Sequence, residues 1–148
     1  MNPYLGLKYA HILIAIVALG TGAAVGILVG FFGEEATHGA FVLRLSRKLL
    51  HWVVLPGYAL MLVTGMWLGH VADLLDARWT EWAMNAWGAG ALMLALMTKS
   101  LRRQIKVWET EGPSSPHFHR AALLGRCYGS GAALVILVIL GLMVLKPA

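Results

Sequence analysis

The chain has 148 residues, of which 59% are hydrophobic and only 13% are charged, and its mean hydropathy is +0.71. Soluble domains contain about 45–50% apolar and about 25% charged residues, so this composition excludes a soluble monomer. It also excludes a disordered chain, because disorder needs low hydrophobicity. One cysteine excludes a disulfide scaffold, and a net charge of +5 in so apolar a chain indicates basic membrane loops rather than nucleic-acid binding.

Four apolar segments carry the fold prediction, because a membrane-spanning helix needs about 20 apolar residues. In chain order they cover residues 7–32, 49–69, 82–98 and 121–145, and the third is short. The second helix is expected to begin near Ala40. The linkers cover residues 33–39, 70–81 and 100–120, although residues 99–111 are also compatible with a continuation of the third helix into water. The sequence predicts one transmembrane domain over residues 1–148, an all-α integral membrane four-helix bundle with up-down-up-down topology in contact with the lipid bilayer.

The distribution of the 12 Lys and Arg residues predicts the orientation. Nine of them lie on the side of the first and third loops: Arg44, Arg47, Lys48, Lys99, Arg102, Arg103, Lys106, Arg120 and Arg126. The other three are Lys8, Arg78 and Lys146. Because basic loops stay in the cytoplasm, we expect both termini outside the cytoplasm, in a bacterial-type inner membrane.

Small residues recur at every fourth position in the first and last spans. They are Ala18, Gly22, Gly26 and Gly30 in the first span, and Gly125, Gly129 and Ala133 in the last. Such faces let helices approach closely in lipid. We expect tight packing along them, within the bundle or in a homo- or hetero-oligomer, and the alternative interpretation is room for a flat cofactor.

Three histidines lie near the membrane. His11 shares a helix face with Ala18, so it is expected to point into the bundle. Helix-rise arithmetic places His11 and His70 at matching depth near the outer boundary and His51 near the inner one, on a face with Tyr58. Imidazoles on facing helices hold a haem iron in helix bundles. His11, His70 and His51 are therefore the predicted cofactor-binding residues, with His11 and His70 as axial ligands of the haem iron.

Simpler interpretations stand beside this one. Each membrane histidine is also compatible with an interfacial hydrogen bond, and the loop histidines His38, His117 and His119 are expected to be solvated. No C-x-x-C-H sequence is present, which excludes covalent c-type haem. Thr64 and Ser130 have no evident base, so nucleophilic catalysis is not predicted.

Several short motifs resemble a known group of membrane proteins. In chain order they are Lys8-x-x-His11-Ile12, Arg47-Lys48-Leu49, Leu55-Pro56, Thr64-Gly65-x-Trp67-Leu68 and Val144-Leu145-Lys146-Pro147. The chain is similar to the HemJ-type protoporphyrinogen oxidases and, more broadly, to the related four-helix proteins of the CopD, cytochrome b561-like and DUF2269 groups. The resemblance implies a four-helix bundle that binds b-type haem and performs redox chemistry, with His11 as the histidine of the first helix and Arg47 and Lys48 as the basic segment before the second.

The combined prediction is a membrane protein that binds haem b and passes electrons between a quinone-type or protein partner and an acceptor. His51 would serve a second haem, a proton or a quinone. Whether the chain is itself a membrane oxidoreductase, HemJ-like or cytochrome b-like, stays open. The alternatives are a cofactor-free accessory subunit of a larger membrane complex and a small carrier or channel.

Overall fold

The computed structural model describes residues 3–145, which form helices joined by short loops, with no strand among them. Its elements are α1 (Pro3–Phe32), α2 (Gly39–Leu49), a π-helical turn (Leu50–Val54), α3 (Leu55–Val71), α4 (Arg78–Glu111) and α5 (Pro116–Leu145). Since α2, the π turn and α3 form one continuous helix, Gly39–Val71, the architecture is the expected all-α four-helix arrangement.

Three of these four helices are long and apolar enough to cross a membrane: Pro3–Phe32, Gly39–Val71 and Pro116–Leu145. The fourth, α4, is not among them, and the short third span expected at residues 82–98 lies inside it. Asn85, Gly88 and Gly90 lower the hydropathy of this stretch, and cations follow directly from Lys99. The chain is therefore an integral membrane helical protein in which α4 is the least apolar of the four continuous helices.

The π turn has a local cause in Pro56. Proline lacks a backbone N–H and its ring crowds the carbonyl one turn earlier, so a regular helix cannot continue through it. Here the turn widens, and the amide of Leu55 bonds to the carbonyl of Leu50, five residues earlier. The wider turn keeps the helix continuous while it rotates the residues before Pro56 relative to those after it.

The connection between α4 and α5 is much shorter than the predicted linker 100–120. Helix α4 runs to Glu111, which confirms that residues 99–111 continue it, and it ends at Gly112, whose positive φ of 84° suits a residue without a side chain. Pro116 then opens α5, and the hydroxyl of Ser115 accepts a hydrogen bond from the amide of Phe118 at 3.1 Å. Between α4 and α5 only residues 112–115 are non-helical.

Two antiparallel helix pairs make up the bundle, α1 with α3 and α4 with α5. In the first pair a Cβ added at Gly57 would lie 2.6 Å from the Cβ of Ala18, and one at Gly22 would touch Val54 at 3.8 Å. In the second pair a Cβ at Gly125 would lie 2.6 Å from Nε2 of Gln104. Small residues therefore set both helix separations, as expected for helix packing in lipid.

The expected small-residue faces continue only part of the way. A Cβ at Gly26 or Gly30 would meet no atom within 4 Å, and both residues are exposed, as is Ala133 on α5. The reason is geometric, because a step of four residues advances about 40° around an α-helix. A row that begins at the buried Ala18 therefore turns away from α3 within three steps. Within the described residues, the expected tight packing along this row therefore ends before Gly26.

The two helix pairs meet most closely at the end that carries α2. A buried apolar core there joins α2, α4 and α5 through residues that include Leu43, Leu101 and Phe118. Trp108 packs edge-on against Phe118, with ring centroids 5.3 Å apart, and it leaves no room for a side chain at Gly39. Nearer the other end, α3 touches α4 mainly through Tyr58 and Trp87.

Candidate functional site

His11 is the membrane histidine that the fold places in a defined contact. It lies on α1 one helical turn after Lys8 and is half-buried. Its Nδ1 is 2.7 Å from Oγ1 of Thr64 on α3. The contact between Ala18 and Gly57 sets the register of the two helices. That register brings His11 level with Thr64 and confirms that the imidazole points between helices.

The hydrogen bonds of Thr64 favour one tautomer of His11. The hydroxyl donates to the carbonyl of Leu60 at 2.7 Å and has the carbonyl of Met61 at 3.3 Å, and backbone carbonyls only accept. A hydroxyl has one proton, so with that proton on a carbonyl the same oxygen accepts from Nδ1–H of His11. In a neutral imidazole this tautomer leaves the lone pair on Nε2. A neutral imidazole whose other nitrogen donates to a fixed acceptor is the usual arrangement of a histidine that binds a metal.

Gly65 provides the space for this imidazole. A Cβ added at Gly65 would lie 3.3 Å from Cε1 of His11, closer than ordinary van der Waals contact. The adjacent pair Thr64-Gly65 therefore acts as a seat, in which one residue holds the ring by a hydrogen bond and the next leaves room for it. A histidine held in this way could serve as a ligand of a haem iron.

The structure does not bring His70 next to His11. His70 is exposed near the end of α3, five residues beyond Gly65. Five residues correspond to about 7.5 Å of rise and about 140° of rotation. Helix rise from the centres of the predicted spans gives the two histidines matching depth, whereas the packing of Ala18 on Gly57 shifts α3 relative to α1.

His51 lies in the π turn and is exposed. Its ring packs edge-on against Trp52, with centroids 5.3 Å apart and an interplanar angle of 87°. Tyr58, with which it was expected to share a face, is 4% exposed and points into the bundle. The wider π turn between them changes the helical phase, so the expectation of a common face is wrong.

Tyr58 and Trp87 form a second polar contact between helices. Their rings are stacked, with centroids 5.0 Å apart and an interplanar angle of 15°. The phenol donates a hydrogen bond to the carbonyl of Trp87 at 3.0 Å, and the indole N–H donates to the carbonyl of Tyr58 at 3.4 Å. A side chain at Gly90 would collide with the phenol oxygen. This reciprocal pair fixes α3 against α4.

An apolar groove of about 320 Å³ runs along α1 and the continuous helix beside it. Its walls are Leu13, Ile14, Val17, Ala18, Trp52, Val53, Pro56, Gly57 and Leu60. The groove therefore begins at the π turn and ends at Leu60, the residue whose carbonyl holds Thr64.

The loop histidines bind carboxylates at the end that carries α2. His38 contacts Glu35, His117 contacts Glu111 at 2.8 Å, and His119 lies 3.7 Å from Glu34. The hydrogen bond from His117 lowers the pKa of Glu111. Across residues 3–145 no group of three or more His, Cys, Asp or Glu side chains is arranged to hold a metal ion.

Sequence reasoning missed the role of Thr64, which it described as having no evident base. The signal was present in the spacing of the small residues. If Ala18 pairs with Gly57 in antiparallel helices, residues at equal distances before Ala18 and after Gly57 lie opposite each other. Seven positions before Ala18 is His11, and seven positions after Gly57 is Thr64. These are the two residues that the structure joins.

Comparison with known proteins gives one family and no individual relative. No curated protein and no solved structure matches the chain. One family model, described as "Predicted integral membrane protein (DUF2269)", matches residues 5–147, almost the whole chain. The hydropathy, the helix lengths and the family match agree, and the chain belongs to the DUF2269 family of integral membrane proteins.

Proposed function

We propose that this protein binds b-type haem and transfers electrons within the membrane, with His11 as an axial ligand. The observation that carries the proposal is the chain of hydrogen bonds from His11 through Thr64 to the carbonyl of Leu60. With the imidazole neutral and its proton on Nδ1, Nε2 would be available to bind iron. The resemblance of the Lys8-x-x-His11 segment to haem-binding four-helix proteins supports the same residue.

A bound haem would supply one-electron redox chemistry, which the amino-acid side chains of this chain do not supply by themselves. His11 would hold the iron, and Thr64 would raise the basicity of the imidazole and fix the orientation of the ring. Gly65 would keep the ring close to α3. A membrane-embedded quinol or a protein would serve as the electron donor, and the apolar groove beside α1 offers room for an isoprenoid chain.

The second axial position is a separate question in this proposal. His70 is the nearer of the two other predicted ligands along α3, and His51 lies at the π turn. His70 lies about 7.5 Å beyond the seat of His11 along α3. Binding His11 and His70 to one iron would require α3 to shift. Variants of His70 and of His51 therefore distinguish a six-coordinate from a five-coordinate haem.

The test is a reduced-minus-oxidised absorption spectrum of the full chain purified in detergent and loaded with haemin. We expect a Soret band and the α band of a b-type haem. His11→Ala should lose most of the haem, whereas His38→Ala, which removes an exposed loop histidine bound to Glu35, should keep it. A wild-type protein without a Soret band after loading, or a His11→Ala variant with the wild-type spectrum, would contradict the proposal.

A second function, an accessory subunit of a larger membrane complex, is favoured by one observation. Gly26 and Gly30 lie on the exposed side of α1 with open space where a side chain would be. Another transmembrane helix could approach closely there. Co-purification of a stoichiometric membrane partner, lost in Gly26→Leu and with no haem spectrum in the complex, would support this function instead.

A further inference from the structure

Four cations form a continuous stripe on the part of α4 that follows its apolar stretch. Lys99, Arg102, Arg103 and Lys106 are all exposed. Their spacing of three and four residues puts them on one helix face. The opposite face of the same two turns is buried and includes Leu101 and Gln104. We call these four residues the basic stripe.

No carboxylate of the described residues neutralises the basic stripe. The four carboxylates at this end of the bundle have other partners. Glu34 pairs with Arg126, Glu35 with His38, Glu109 with Arg44 at 2.7 Å, and Glu111 with His117. Two other cations of this end, Arg44 and Arg126, are thus matched, whereas the stripe keeps four positive charges.

The position of the stripe along α4 matches the headgroup layer of a bilayer. Residues 82–98 carry no charged side chain, and Lys99 is the first cation after them. From Lys99 to Lys106 the helix rises about 10 Å. The polar layer on each side of the hydrocarbon core is about 5–8 Å thick. With residues 82–98 inside the hydrocarbon core, the stripe would begin where phosphate groups lie and extend just past them.

We propose that the basic stripe binds the phosphates of anionic phospholipids in the leaflet at the α2 end of the bundle. The proposal rests on the positive charge of the stripe, which is opposite to that of the phosphates, and on its position next to the apolar stretch of α4. Arg102 and Arg103 offer planar guanidinium groups that bind phosphate through two parallel hydrogen bonds, and Lys99 and Lys106 add point charges above and below them. The stripe lies outside the proposed haem site, so neither proposal depends on the other.

The test compares two charge-matched double variants of the full chain in detergent. Arg102→Gln/Arg103→Gln removes two cations of the stripe, and Lys8→Gln/Arg78→Gln removes two exposed cations outside it. The probes are phosphatidylglycerol and phosphatidylcholine, and the readouts are the lipids retained in native mass spectrometry and the shift of Tm. We expect phosphatidylglycerol to bind the wild type preferentially, and the stripe variant to bind it about 30-fold more weakly.

Three results would overturn the proposal. Equal loss of phosphatidylglycerol binding in both double variants would indicate a general effect of net charge. Equal binding of phosphatidylcholine would remove the requirement for anionic lipid. Stabilisation by inorganic phosphate at the same concentration would show that free phosphate rather than a lipid headgroup is bound. Weakening of the lipid effect in high salt is expected, because exposed charges are screened over a few ångströms at about 1 M.

Discussion

Nδ1 of His11 on α1 lies 2.7 Å from Oγ1 of Thr64 on α3. The two residues are 53 positions apart in the chain, and the same hydroxyl donates to the carbonyl of Leu60. One side chain therefore connects an imidazole to the backbone of the neighbouring helix. The orientation of His11 depends on how these two helices are aligned, and every variant that shifts the alignment should disturb the imidazole.

The role of Thr64 is tested by comparing Thr64→Val with Thr64→Ser. Valine keeps the branched shape but removes the acceptor of the Nδ1 proton, whereas serine keeps the hydroxyl. We expect Thr64→Val to lower the affinity for haem about 10–100-fold, the usual cost of losing the partner of a ligating histidine, and Thr64→Ser to retain it. Haem titration followed at the Soret band measures both. Equal affinities of the two variants would contradict the hydrogen-bond argument.

Packing of α1 on α3 is tested by adding one methyl group at two glycines. Gly57→Ala places a Cβ 2.6 Å from that of Ala18, so the helices must separate, at a cost of about 1–3 kcal/mol. Gly26→Ala meets open space and should be neutral or stabilising by about 0.5–1 kcal/mol. Thermal unfolding in detergent distinguishes them. A larger loss of stability in Gly26→Ala would mean that its open face is covered in the protein.

Much of the fold could be predicted from the sequence, because hydropathy fixes where helices cross a membrane. The helical class, the inward direction of His11 and the close contact at Ala18 and Gly22 follow from composition and periodicity. The partner of His11 could not be predicted from the centres of the spans. Which residue of α3 lies level with His11 depends on the contact of Ala18 with Gly57. The direction of His51 was missed because Pro56 induces a π turn, which no regular helical step describes.

The orientation predicted from the basic residues is tested by cysteine labelling in intact cells. Cys127 is exposed and is first replaced by serine. Asp76→Cys lies in the loop between α3 and α4, and Ser114→Cys lies between α4 and α5. With both termini outside, a membrane-impermeant maleimide should label Asp76→Cys directly and Ser114→Cys only after permeabilisation. The reverse pattern would place the termini inside.

The contact of His117 with Glu111 predicts a small dependence of stability on pH. The folded-state pKa of Glu111 is lowered from 4.5 by its hydrogen bond to His117, so the unfolded state binds more protons over this range. The contribution is complete above about pH 4.5 and is lost as pH falls through the lowered pKa. Wild type should therefore exceed Glu111→Gln in Tm near about pH 6 but not near about pH 3. A difference in Tm between the two proteins that is the same at both pH values would show that folding does not change the pKa of Glu111.

All the contacts that position His11 belong to the first 71 residues. Its partner Thr64, the carbonyl of Leu60 and the contact of Ala18 with Gly57 lie within α1 and α3. A growing chain releases this helix pair from the ribosome before α4 is complete, so the seat of the imidazole can assemble during membrane insertion, without waiting for the second pair. The later helices then add to an existing unit, with Tyr58 and Trp87 as the contact of α4 with α3.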